Sequence, residues 1–164
     1  MKKYSLFLFV LIALLSCTPE ETTTYYLIRH AEKVRTDATN RNPDLNEAGK
    51  KRASNWAGYF KNITLDAVYS TNYNRTLQTA TPTAAQKKLP ILQYDPRKMY
   101  TENFVTATKG KAVLIVGHSN TTPVFANNIL GKEQYKNMDD HDNASLYIVT
   151  VAGTNRTSRI EVLE

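Results

Sequence analysis

Two apolar runs end in histidine: YYLIRH at residues 25–30 and VLIVGH at 113–118. The chain has three histidines in 164 residues, so two of them at such ends ask for a reason. His30 directly follows Arg29, and a third run, AVYS (67–70), leads through TNYN to Arg75. Tyr25, Tyr26, Leu27 and Ile28 are strand formers, and strand packing does not call for a charged pair after them. Arginine and histidine together suit a phosphate. Guanidinium groups grip phosphoryl oxygens bidentately. Neighbouring arginines disfavour imidazolium and hold a histidine at or below its usual pKa of about 6.5. A neutral imidazole can then attack phosphorus and form a covalent phosphohistidine. A second histidine and the arginines would stabilise charge on the equatorial oxygens.

Such groups act together only if the fold brings them to one place. The pattern alternates strands and helices, which predicts an α/β domain. A strand at Tyr25–Arg29 is followed by a helix over Glu47–Phe60, with Asn46 as its cap and Ala53, Trp56, Ala57 and Phe60 on one face. A strand at Ala67–Ser70 precedes a helix from Arg75 to Lys88, in which Pro82 predicts a kink or a restart. A strand at Ile91–Tyr94 and a short helix at Glu102–Thr108 come next. Ala112–Val116 reads as a strand buried on both faces. A helix over Pro123–Leu130 and strands at Leu146–Val151 and Arg159–Leu163 complete the chain. Ligands of open α/β sheets bind beyond the carboxyl ends of the strands. Arg29, His30, Arg75 and His118 therefore belong to one edge, beside helix N-termini that favour anions.

Four segments in order, LIRHAEK, DLNEAGKKRA, YSTNYNRTLQTA and VGHSNTTP, resemble the signature motifs of the histidine phosphatases, which share a fold with cofactor-dependent phosphoglycerate mutases. The resemblance spans residues 25–123. It implies a phosphoglycerate mutase-like three-layer sandwich, a mostly parallel sheet flanked by helices. It also implies a phosphoric monoester hydrolase that takes a small phosphorylated substrate and calls for no cofactor or metal. His30 would be the phosphorylated nucleophile, with Arg29, Arg75 and His118 completing the phosphate pocket. The family's proton donor usually falls between the second arginine and second histidine motifs, where Asp95 and Glu102 are the acidic residues. Glu102 is preferred, because Asp95 precedes Pro96 and suits a turn. Ala31 stands where the family has glycine, and Thr36 where mutase-type members carry a phosphate-contacting asparagine. The chain lacks the insertions that close a mutase pocket, which favours a phosphatase. Two alternatives share the clamp: a non-catalytic phosphate- or phosphoprotein-binding module, and a phosphohistidine phosphatase.

Residues 1–17 begin with Lys2 and Lys3, continue in an apolar run too short to span a bilayer, and end in LLSC. This resembles a bacterial lipoprotein signal with Cys17 as the lipidation site. Residues 18–24 then read as a polar tether and 25–164 as the domain, a length typical of one core. The expected address is the cell envelope, periplasmic or surface side, with the membrane contacted through the lipid anchor. Phosphohistidine relays run in the cytoplasm, so that address disfavours the third reading. Cys17 is the one cysteine, which excludes a disulfide framework or cysteine-based zinc site. The 21 Lys and Arg against 15 Asp and Glu form no dense basic run, so no nucleic-acid partner is expected. The loop MDDHDNAS (138–145) matches no common metal spacing and reads as solvated, with Asn143 and Ser145 near the pocket rim. Glu32 reads equally as an orienting group or a solvent-facing one.

Overall fold

The computed structural model describes residues 21–163. Residues 1–17 and Cys17, with the first part of the tether, lie outside the described residues. The elements are β1 (Thr22–Arg29), α1 (Glu47–Phe60), β2 (Ala67–Ser70), α2 (Asn74–Lys87), β3 (Ile91–Gln93), α3 (Glu102–Thr108), β4 (Ala112–Gly117), α4 (Thr121–Leu130), β5 (Ser145–Ala152) and β6 (Asn155–Val162). They form one six-stranded mixed sheet in the order β3-β2-β4-β1-β5-β6. The β3-β2, β2-β4 and β4-β1 pairings are parallel, while β5 and β6 add antiparallel to the β1 side.

Alternation along the central strands makes the three layers. Val113 and Ile115 of β4 join Tyr25 and Leu27 of β1 in a cluster with Phe104, Phe125 and Ile129 from α3 and α4. Leu114 and Val116 point the other way, joining Ile28, Trp56, Phe60, Ala80 and Ala84 beneath α1 and α2. Side chains two apart share a face, so the continuous apolar run of β4 serves both layers at once. In α1 the Asn46 side chain accepts from Gly49 N at 2.9 Å, capping the helix where the sequence places the cap.

Three local expectations shift. β1 begins at Thr22, inside the stretch read as tether, because Thr22–Thr24 pair with Thr150–Ala152 of β5 and threonine is at home in a strand. Pro82 neither ends nor restarts α2, which runs unbroken through it; a first-turn position is not needed when packing of Ala80, Thr83 and Ala84 holds the helix. β6 starts four residues before Arg159, since a tight turn at Gly153 (φ 52°) pairs Ala152 with Asn155. Arg156, Arg159 and Glu161 charge this edge strand and discourage further pairing.

Candidate active site

Because β1 and β4 are parallel neighbours with Arg29 opposite Gly117, the residues that follow them emerge together. The His30 and His118 rings lie 5.5 Å apart, inclined at 67°. β2, on the far side of β4, ends at Ser70 and delivers Thr71, Tyr73 and the first turn of α2 to the same edge. Arg29, His30, Arg75 and His118 thus line one cavity of about 330 Å³ with Lys33, Tyr73 and Asp140. Ser119, Asn120 and Thr121 add the N-terminus of α4. The four residues singled out in the sequence meet.

His30 is buried at 4% exposure. Its backbone N donates to Gly117 O at 2.9 Å, and its carbonyl accepts from Asn143 Nδ2 at 2.7 Å. Its ring Nδ1 lies 2.8 Å from Ala31 O. A carbonyl can only accept, so this contact places the neutral ring's proton on Nδ1 and leaves the Nε2 lone pair free. Ala31 in turn donates its N–H to Thr79 Oγ1 at 2.9 Å, fixing the turn that holds the imidazole. Burial pushes the His30 pKa down to about 3, outweighing the Ala31 bond that raises it; Arg29, Arg75 and His118 push it further down. The sequence points to the arginines as what keeps this imidazole neutral, but desolvation is the larger cause.

His118 is fixed by a hydroxyl chain. Thr76 donates to the Thr71 carbonyl at 2.8 Å, so Thr71 Oγ1 donates to Thr76 Oγ1 at 3.0 Å and accepts from His118 Nε2 at 2.9 Å. His118 Nδ1 then faces Arg75 Nη2 at 3.4 Å. Burial, then Arg75 and Arg29, lower its pKa to about 4. Tyr73 packs edge-on to His118 at 5.0 Å and lies 4.5 Å from the Arg75 guanidinium.

The cavity is electropositive. Among the described residues Arg75 pairs with no carboxylate, and its Nε is buried without a partner. Burial and Arg29 both disfavour its charge, and Lys33 is depressed by burial, Arg75 and Arg35. Arg29, only 2% exposed, is held by the loop after α4. Its Nη1 donates to Asp139 O (2.9 Å) and Asp142 O (3.2 Å), its Nη2 to Asp140 Oδ1 (2.7 Å), and its Nε has no partner among the described residues.

From its sequence alone this loop reads as solvated. Asp139–Asn143 instead supplies three acceptors to Arg29 and one donor to His30, 110 to 113 residues away in sequence. Asn143 does more than sit at the rim, and Ser145 bonds Asp142 Oδ2 at 2.7 Å behind it. Lys33, Tyr73, Thr71 and Asp140 are site residues that sequence reasoning missed. Tyr73 and Thr71 fall inside the YSTNYNR segment, which was the available signal. Glu32 points away and pairs with Arg52 Nε at 2.8 Å. Exposed Thr36 and exposed Glu102 are not brought to the cavity; Glu102 opens α3 instead. Among the described residues that line it Asp140 is the one carboxylate, held down at about 2 chiefly by Arg35. Asp95 borders a second groove, about 680 Å³, that meets the first at Tyr73 and Pro96.

Residues 25–97 match the model of the histidine phosphatase superfamily, branch 1. Solved structures share the fold over most of the chain. The putative phosphohistidine phosphatase SixA of Agrobacterium tumefaciens is 18% identical over 86% of this chain and 99% of its own, with a TM-score of 0.62. A phosphoglycerate mutase of Bacillus anthracis is 16% identical over 88% and 94%, TM-score 0.64. A mycobacterial glucosyl-3-phosphoglycerate phosphatase is 12% identical over 86% and 98%, TM-score 0.65. At these identities the likeness establishes the phosphoglycerate mutase-like fold. No curated protein matches the sequence at a significant level.

Proposed function

We infer that this chain belongs to the histidine phosphatase superfamily and hydrolyses phosphate monoesters through a covalent phosphohistidine on His30. The match over residues 25–97 and the shared fold support the family. The observation that carries the activity is a neutral, buried imidazole with a free Nε2 beside cations that outnumber the carboxylates of their cavity. In the first step His30 Nε2 attacks phosphorus and the ester oxygen leaves. Positive charge developing on the imidazole is met at Nδ1–H by the Ala31 carbonyl. Arg29, Arg75 and His118 hold the phosphoryl oxygens. Water then attacks the phosphoimidazole, releasing phosphate and restoring His30.

The test is phosphate release from an aryl phosphate by the purified protein and by His30→Ala, with acid-labile phosphoprotein trapped on rapid quench. Equal rates in both proteins would sink the covalent mechanism. Phosphate binding without release by the unaltered protein would favour the binding module. A phosphohistidine substrate draws support from the cavity's shortage of a free carboxylic acid, because a nitrogen leaving group relies less on one. Hydrolysis of a phosphohistidine peptide in preference to aryl phosphate would select that reading. We also propose export and lipid anchoring at Cys17; metabolic labelling with a fatty acid should mark the protein and be lost in Cys17→Ala.

A further inference from the structure

Arg29 is the most enclosed cation of the site, and a carboxylate already occupies it. Asp140 Oδ1 accepts from Arg29 Nη2 at 2.7 Å, while Oδ2 accepts from Arg35 Nη1 at 2.7 Å. The Asp140 side chain is 59% exposed and Arg35 52%, so both can move. Arg29 cannot, and does not depend on Asp140 for its place. Its Nη1 stays fixed by the Asp139 and Asp142 carbonyls, and its chain is enclosed.

We propose that Asp140 is an internal counter-anion that competes with phosphate for Arg29, weakens the site's hold on free phosphate and so hastens product release. This rests on the phosphate-site reading. Two acceptors on one nitrogen lie within about 5 Å of each other. A phosphate oxygen reaching Arg29 Nη2 therefore meets the Asp140 carboxylate at that range, or displaces it towards Arg35. Like charges at that separation in a partly buried site cost at least about tenfold in affinity. The substrate overcomes the competition with binding energy from its remaining groups; inorganic phosphate has none.

The experiment is calorimetric titration of inorganic phosphate into the unaltered protein and Asp140→Asn at fixed ionic strength, with phosphate inhibition of turnover measured beside it. Asparagine keeps an acceptor for Arg29 and removes the charge. Phosphate should bind Asp140→Asn roughly tenfold more tightly, and its inhibition constant should fall in step. Asp140→Ala, which removes the acceptor as well, should also bind phosphate more tightly than the unaltered protein. A residue that merely braced Arg29 would give the opposite result, and unchanged or weaker binding in Asp140→Asn overturns the proposal. Binding by the unaltered protein is the separate check on the site: no phosphate binding by any of the three overturns the phosphate reading and this proposal with it.

Discussion

His118 Nδ1 faces Arg75 Nη2 at 3.4 Å while its Nε2 is held by Thr71 at 2.9 Å. The ring is therefore neutral and aimed, with one nitrogen committed to the scaffold and the other turned to the second arginine. A phosphoryl dianion drawn in by Arg75 would favour protonation of that nitrogen and gain a donor. His118→Ala and Arg75→Ala should each lower kcat by at least about 100-fold, measured by aryl phosphate turnover. Their effects should combine to less than the product of the two, because the pair acts as a unit. Full additivity in the double variant would separate their roles.

Both imidazoles are neutral in the folded protein, His30 pushed down to about 3 and His118 to about 4. In the unfolded chain each titrates near ~6.5. Below that value the unfolded state binds protons that the folded state refuses, so stability is complete above about pH 6.5 and falls as the pH drops towards 4. The slope is roughly 1.4 kcal/mol per pH unit for each histidine. Urea midpoints at pH 7.5 and 5 should show this loss, and the double variant His30→Asn, His118→Asn should flatten it. A loss of the same size in the double variant would mean that other groups carry it.

Gly117 leaves no room for a methyl group. A Cβ there would stand 2.9 Å from Tyr94 Oη and 3.0 Å from both Thr121 Oγ1 and Thr122 Oγ1. Two of these residues brace the His118 backbone: Thr121 Oγ1 accepts from its N–H at 3.0 Å, and the Thr122 N–H donates to its carbonyl at 2.9 Å. Gly117→Ala should cost about 1–3 kcal/mol by overpacking and lower turnover as well, since it displaces His118 and the Gly117 carbonyl that accepts from the His30 N–H. Denaturation midpoints and kcat read the two effects separately. Gly49 is constrained in the same way by the Glu32 carbonyl, which explains the glycine in DLNEAGKKRA.

The elements most legible in the sequence are those whose causes are local. Helix α1 has its expected bounds because Asn46 caps it and Ala53, Trp56 and Phe60 recur on one face. The two histidines were legible because each ends a strand that the pattern marks as buried. What the sequence hid is set by pairing across distance. Thr22–Thr24 look like tether until β5 lies beside them. Asp140 looks like a solvated loop residue until the chain returns and places it on Arg29, 111 residues earlier. Nor does local pattern say which way α3 carries Glu102. Its position after the third strand fitted a proton donor, but the helix presents it to solvent.

That placement makes the leaving group decisive. A positioned general acid is worth about 10²–10⁴ in rate, most of it for poor leaving groups. Among the described residues lining the cavity, Asp140 is the one carboxylate, and Arg35 and Arg29 keep it ionised to about pH 2. In this arrangement departing oxygens leave without the proton of a free carboxylic acid. Across a series of aryl and alkyl phosphates, kcat/KM should fall steeply as leaving-group basicity rises, by at least about 100-fold between a nitrophenyl and a simple alkyl ester. Glu102→Gln should leave both ends of the series within about twofold. A shallow dependence that turns steep in Asp95→Asn would place the acid at Asp95, on the wall where the two grooves meet. The same change in Glu102→Gln would require α3 to swing its first turn into the cavity.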